Sequence, residues 1–142
     1  MLHITVETQL KRAITAFCQE ERLPRTVNEV TLTTTLARYV AEEFPAWNVD
    51  AEYNRKMDDV KKLKGKVVKP DIIVHRRQRT RNLLVIEAKK STNPIGVAED
   101  KLRLKDFHVD RQYHYEHCAF LTFRFDADQR HQCSVEWFCC NG

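Results

Sequence analysis

The chain has 142 residues, of which 42% are hydrophobic and 31% are charged. This length favours a single domain with a sizeable core, and the composition is typical of a globular protein. No apolar run approaches the roughly 20 residues of a membrane-spanning helix, and the N-terminal segment lacks the pattern of a signal peptide. The five cysteines lack the spacing of a disulfide framework, which favours a reducing, cytoplasmic compartment.

Positive charge is concentrated in one stretch of the chain. The formal net charge is +4, but residues 61–81 carry a net charge of +8 and the remainder carries −4. The nine cations of this stretch are Lys61, Lys62, Lys64, Lys66, Lys69, Arg76, Arg77, Arg79 and Arg81. Such a concentration indicates a phosphate-rich partner, and a solvated charged loop is the alternative.

Hydrophobic periodicity predicts helices and strands in a mixed order. The predicted elements are helices over 5–21 and 28–44, strands over 47–54, 70–75 and 83–89, a helix over 94–107, and strands over 113–125 and 132–139. The third helix carries Ile95, Ala98, Leu102 and Phe107 as its apolar positions, and residues 56–69 form a charged connection. This order predicts a mixed sheet with helices packed on its faces.

The most informative segment is a predicted antiparallel hairpin with its turn over residues 76–82. With the turn centred on Arg79, the opposed pairs are Asp71 with Glu87, Ile73 with Val85, and His75 with Leu83. Lys89 lies on the same face as Glu87.

Two opposed carboxylates repel each other and need a compensating cation. Lys89 in a local ion-pair cluster would supply it, and so would a hard divalent ion such as Mg²⁺. Spacing alone does not choose between them. The four arginines at residues 76–81 favour the metal, because they would hold a phosphodiester backbone while the ion lies at the scissile phosphate. The histidines and cysteines at residues 114–133 lack the spacing of a zinc site.

Pro70-Asp71, followed after a gap of 15 residues by Glu87-Ala88-Lys89, resembles the PD-(D/E)XK signature of the restriction-endonuclease-like nuclease superfamily. A hydrophobic run accompanies each half of the motif, as in that superfamily. The resemblance implies a single three-layer α/β/α domain with a central mixed β-sheet in the order ααβββαββ. It covers residues 28–125, which leaves 1–27 as an N-terminal helix extension and 126–142 as a C-terminal strand.

The resemblance also implies roles for individual residues. Asp71, Glu87 and the carbonyl of Ala88 would be metal ligands, and Lys89 would position or activate the attacking water. Glu29, before the strands, is a further catalytic candidate. Its alternative role is a first-turn carboxylate favoured by the helix dipole.

Further candidates lie around this motif. The predicted nucleic-acid-binding residues are Arg76, Arg77, Arg79, Arg81, Lys69 and Lys101. Glu52 on the first strand and Lys105 on the third helix are secondary candidates.

The sequence therefore predicts an endonuclease that uses Mg²⁺ or Mn²⁺ to hydrolyse phosphodiester bonds, in DNA rather than RNA. No module for sequence readout is evident, so specificity would come from a homodimer, from a partner chain, or from recognition of DNA structure in place of sequence. The alternatives are a non-catalytic nucleic-acid-binding module on the same fold and a protein-interaction domain that uses the basic hairpin.

Overall fold

A computed structural model describes residues 5–51, 61–63, 66–68, 70–76, 81–109, 114–126 and 130–138. The fold is mixed α/β, as predicted, with a five-stranded mixed sheet. The helices are α1 (Val6–Glu20), α2 (Glu29–Glu43) and α3 (Val97–Val109). The strands are β1 (Asn48–Ala51), β2 (Lys61–Leu63), β3 (Lys66–Val68), β4 (Ile72–Arg76), β5 (Arg81–Lys90), β6 (His117–Phe125) and β7 (His131–Trp137). Within the described ranges, no helix has the length and apolarity needed to cross a membrane.

The main sheet has the strand order β1-β4-β5-β6-β7. Its neighbouring strands are antiparallel except β5 and β6, which are parallel and are joined through α3. This connection agrees with the need of parallel strands for a long crossover. β2 and β3 form a separate antiparallel hairpin inside the predicted charged connection.

Side-chain caps determine where the first two helices begin. The Thr5 hydroxyl accepts a hydrogen bond from the Thr8 N–H at 3.1 Å, and Asn28 Oδ1 accepts one from the Thr31 N–H at 2.8 Å. Each cap pairs an N–H group that the first helical turn leaves without an internal acceptor. The predicted starts of both helices are therefore confirmed to within a residue.

Alternate residues of the sheet are buried against helices on both faces. One core joins α1 and α2 to side chains that include Ile72, Val74, Leu84, Ile86, Ala88, Ala119, Leu121 and Phe123. The other joins Leu104 and Phe107 of α3 to Ile73, Val85, Cys118 and Phe120. Because strand side chains alternate, Glu87 and Lys89 share the α3 face with Val85.

The rotation of α3 differs from the prediction. Ile95 is 79% exposed and Leu102 is 60% exposed, whereas Leu104 and Phe107 are fully buried together with the carboxylate residue Asp100. Ala98 is exposed as well, so the predicted apolar face is wrong at three of its four positions and correct at Phe107. An acidic residue occupies the buried face because Asp100 has cationic neighbours there, described below.

The hairpin register is as predicted at its open end. Ile73 pairs with Val85, and the flanking pairs follow the same register. A bulge between Val74 and His75 then shifts the register, so His75 pairs with Asn82 and not with Leu83. The predicted register is therefore wrong only in the half of the hairpin nearest the turn.

His131 is a buried polar residue at the junction of α1 and β7. Its Nε2 accepts a hydrogen bond from the Leu23 N–H at 2.9 Å, and its ring packs against Phe17 and Phe125. Burial lowers the pKa of His131, and the charge of Arg22 lowers it further. The neutral ring is therefore part of the folded structure.

Stability should depend on pH through this residue. The stabilisation by neutral His131 is fully present above the ordinary pKa of 6.5 and is lost as the pH falls through the lowered pKa. We expect His131→Gln to cost about 1–3 kcal/mol of unfolding free energy near neutral pH, and the difference from wild type to shrink at acidic pH. Urea denaturation of both proteins across that range measures it. A difference that is constant with pH contradicts this account.

Candidate active site

β5 extends four residues beyond Ile86, the last residue that pairs with β4. Main-chain N–H groups on this free edge need other acceptors. The Ala88 N–H donates to Asp71 Oδ2 at 2.8 Å, and the Lys90 N–H donates to Glu29 Oε1 at 3.0 Å. Two carboxylates are thereby attached to one strand edge at positions about 7 Å apart.

The strand register, continued by one step beyond its last observed pair, places Asp71 opposite Glu87. Asp71 directly precedes β4, and that last pair is Ile72 with Ile86. Directly opposed residues have Cβ atoms about 4.5–5.5 Å apart. The predicted juxtaposition of the two residues is therefore supported by the observed strand pairing.

The side chain of Glu87 is buried beneath α3. Only 3% of the residue is exposed, and Arg103 Nη2 lies 3.8 Å from Glu87 Oε2. Arg103 also bonds to Asp100, whose Oδ2 lies 3.6 Å from Lys89 Nζ. We call Glu87, Lys89, Asp100 and Arg103 the α3 charge cluster. It pairs two acidic with two basic residues across the space between β5 and α3.

The approach of α3 to Lys89 depends on the turn that precedes the helix. Gly96 has a φ of +78°, a conformation that favours glycine, and its carbonyl accepts a hydrogen bond from the Asp100 N–H in the first turn of α3 at 2.9 Å. A Cβ at this position would lie 3.7 Å from Lys89 Nζ. The turn thus brings the helix start against the lysine and leaves its side chain only 20% exposed.

The oxygen donors at this end of the sheet suit a hard divalent cation. The carbonyl and N–H of one strand residue point to the same edge, so the Ala88 carbonyl faces the side on which Asp71 lies. Two carboxylates and a carbonyl match the preference of Mg²⁺, which retains several waters. In the described part of the chain, no three His, Cys, Asp or Glu side chains form a metal-binding group.

Glu29 connects α2 to the end of β5. Its Oε1 accepts from the Asn93 side-chain amide at 2.9 Å as well as from the Lys90 main chain. Lys90 Nζ in turn donates to the carbonyls of Arg25 and Val27, both at 2.8 Å. These contacts anchor the start of α2 to the strand that carries the motif. A catalytic role for Glu29 stays a prediction.

Two of the predicted phosphate-binding arginines lie at the opposite end of the sheet. Arg76 and Arg81 place their Cζ atoms 4.6 and 5.3 Å from the ring centre of Trp47, and Arg81 Nη2 lies 3.5 Å from Glu116 Oε1. Glu87 lies six positions along β5 from Arg81, a distance of about 20 Å. These two arginines therefore do not surround the carboxylates, because the turn and the open end of a hairpin lie at its opposite ends.

The hairpin of β2 and β3 contains part of the basic stretch. The backbone of β2 approaches α3, and this strand carries Lys61 and Lys62. Four other candidates, Lys69, Arg77, Arg79 and Glu52, lie outside the described residues, and their roles stay predictions.

Lys101 and Lys105 of α3 contact the β6 and β7 side of the sheet, and their role in nucleic-acid binding stays a prediction. Lys101 Nζ bonds to Glu136 Oε2 at 3.0 Å and lies over the ring of Phe120, and Lys105 Nζ lies over the ring of Phe138. Both therefore contact β6, β7 or the residue after β7.

Arg103 is the basic residue of α3 whose side chain lies beside Glu87 of the motif. Neither Arg103 nor Asp100 was among the site residues predicted from the sequence. Their spacing of three residues, which lets an ion pair form along a helix, was the available signal.

Comparisons with known proteins add little to this geometry. No protein-family model and no curated protein matches the sequence. The crystal structure of SSO0001 shares 15% sequence identity with this chain at a TM-score of 0.39, over 98% of this chain and 71% of that chain. A likeness at this level carries no argument about activity.

Arg103 should contribute to stability through Glu87. Removal of the guanidinium leaves the buried Glu87 carboxylate with one fewer cation, a loss that solvent reduces because the Arg103 side chain is 33% exposed. We expect Arg103→Ala to lower the free energy of unfolding by about 1–2 kcal/mol in urea denaturation. Lys101→Ala, which removes a more exposed ion pair, is the matched control, with an expected loss below about 0.5 kcal/mol. Equal losses for both variants would contradict the role given to Arg103.

Proposed function

We propose that this chain is a divalent-metal-dependent nuclease domain with a three-layer α/β/α restriction-endonuclease-like fold, and that it hydrolyses phosphodiester bonds in DNA. The observation that carries the proposal is the hydrogen bond from the Ala88 N–H to Asp71 Oδ2 at 2.8 Å. With the hairpin register, it holds Asp71, Glu87, the Ala88 carbonyl and Lys89 at one end of the sheet.

These residues have distinct chemical roles in the proposal. Asp71, Glu87 and the Ala88 carbonyl would hold Mg²⁺ or Mn²⁺, which supplies a water of lowered pKa and offsets charge on the phosphate. The Lys89 ammonium donates hydrogen bonds to the attacking water or to a phosphate oxygen. Asp100 orients Lys89, and Arg103 orients Glu87.

A second candidate function is non-catalytic nucleic-acid binding on the same fold. The α3 charge cluster favours it, because Lys89 and Arg103 offset the charges of Glu87 and Asp100 without a metal ion. Under either function the partner is DNA in preference to RNA, the compartment is the cytoplasm, and specificity comes from a homodimer or a partner chain.

Metal-dependent cleavage separates the two functions. We expect the purified protein to nick supercoiled plasmid or cut branched DNA in Mg²⁺ or Mn²⁺, and EDTA to stop it. Asp71→Asn should slow cleavage about 100-fold or more, because it removes the charge that binds the metal. Agarose-gel assays of the initial rate measure the effect.

Melting temperatures and a control variant distinguish a loss of catalysis in Asp71→Asn from a loss of folding. Asparagine retains an oxygen that accepts the bond from the Ala88 N–H, so Asp71→Asn should melt within a few degrees of wild type. Glu42→Gln, an exposed carboxylate on α2, is the charge-matched control and should cleave normally. Tight DNA binding by wild type with no cleavage on any substrate would establish the non-catalytic candidate.

Arg76 and Arg81, which lie over the Trp47 ring, should affect the affinity for DNA and not the rate of cleavage. They lie about 20 Å from the carboxylates, so Arg76→Gln with Arg81→Gln should weaken DNA binding and reduce the salt slope by about 1–2, without changing the cleavage rate of bound DNA. Fluorescence anisotropy across a salt series and single-turnover cleavage measure the two quantities.

Arg38→Gln is the control for this pair, since Arg38 is a 72% exposed arginine on α2. An unchanged affinity and salt slope in the double variant would remove Arg76 and Arg81 from the DNA-binding surface.

A further inference from the structure

Two thiols lie side by side where α1 crosses β7. Cys18 of α1 and Cys133 of β7 place their Sγ atoms 3.9 Å apart, although 115 positions separate them along the chain. Both are partly buried, whereas Cys118, the other cysteine in the described ranges, is fully buried in the core beneath α3. The first two thiols thus form the adjacent pair on the opposite face of the sheet from the α3 charge cluster.

The surroundings of this pair allow a small oxidant to enter. A cavity of about 430 Å³ lies between α1 and β7, and its lining includes Leu10, Ile14, Cys133, Val135 and Trp137. Cys133 therefore borders an opening large enough for a molecule such as hydrogen peroxide. Cys18, whose sulfur lies 3.9 Å from that of Cys133, is itself only partly buried.

The two thiols differ in acidity, as expected for a pair in which one sulfur reacts with the oxidant and the other then forms the disulfide. The hydrogen bond between the two thiols lowers the pKa of Cys18, and the same contact together with burial raises the pKa of Cys133. Because the thiolate is the nucleophile, Cys18 is the sulfur that attacks an oxidant first, and Cys133 is the sulfur that resolves the product.

We propose that Cys18 and Cys133 form a reversible disulfide when the protein meets a peroxide. The Cys18 thiolate attacks a peroxide oxygen, the O–O bond breaks, and hydroxide leaves and takes up a proton to form water. The Cys133 sulfur then attacks the Cys18 sulfenic acid, the S–S bond forms, the S–O bond breaks, and a second water leaves. Two thiols are oxidised and one peroxide is reduced. A thiol reductant reverses the reaction.

The disulfide would link α1 covalently to β7. An S–S bond is about 2.0 Å long, so the sulfurs must approach by about 2 Å, within reach of side-chain rotation. The closed loop contains most of the chain, which removes much conformational freedom from the unfolded state. The bond should raise the melting temperature by about 10 °C and leave metal-dependent nicking unchanged, because it lies on the other face of the sheet.

Peptide mapping of the oxidised wild-type protein tests the proposal without any variant. The protein is treated with stoichiometric hydrogen peroxide, blocked with an alkylating agent, digested without reductant and analysed by mass spectrometry. We expect a cross-linked peptide that joins Cys18 to Cys133 and disappears with dithiothreitol. Free, alkylated Cys18 and Cys133 after oxidation would overturn the proposal, as would a cross-link of either to a different cysteine.

Variants then test the effect on stability. In a background with Cys139→Ser and Cys140→Ser, oxidation should raise the melting temperature, and Cys118→Ser should retain that rise. Cys18→Ser and Cys133→Ser should each abolish it, with reduced melting temperatures that show the variants are folded. An oxidation-dependent rise that survives Cys18→Ser would contradict the assignment.

Discussion

The edge of β5 beyond its pairing with β4 constrains the arrangement at the motif. Ala88 and Lys90 present N–H groups there, where β4 supplies no acceptor, and an unpaired main-chain N–H is costly when buried. Asp71 and Glu29 supply the acceptors, one from the residue before β4 and one from the first turn of α2. The same hydrogen bonds that complete the strand edge therefore bring acidic side chains to one end of the sheet.

The alternation of β5 then divides this end of the sheet into two environments. Ala88 and Lys90 face α1 and α2, where Lys90 anchors the loop before α2. Glu87 and Lys89 face α3, where Asp100 and Arg103 meet them. The proposed chemistry depends on this division, because the supporting charges come from α3 while the carboxylates are held by the strand edge.

Much of this arrangement follows from local sequence patterns. Period, caps and proline positions predicted the helices and the main strands, and the hairpin register was correct for the three pairs from Ile72–Ile86 to Val74–Leu84. The bulge at His75 and the rotation of α3 were not predictable, because both arise from tertiary packing and ion pairs. The distance of Arg76 and Arg81 from the carboxylates was predictable, because it follows from the length of the strands between them. The prediction relied on the charge density of the segment and did not use this length.

The central claim is that Asp71 and Glu87 hold one divalent cation together. A crystal structure of the protein grown with Mn²⁺, with anomalous scattering data, tests it most directly. We expect one anomalous peak within about 2.0–2.3 Å of a carboxylate oxygen of each residue and of the Ala88 carbonyl oxygen. No peak there at saturating Mn²⁺, with Glu87 still beside Arg103, would contradict it.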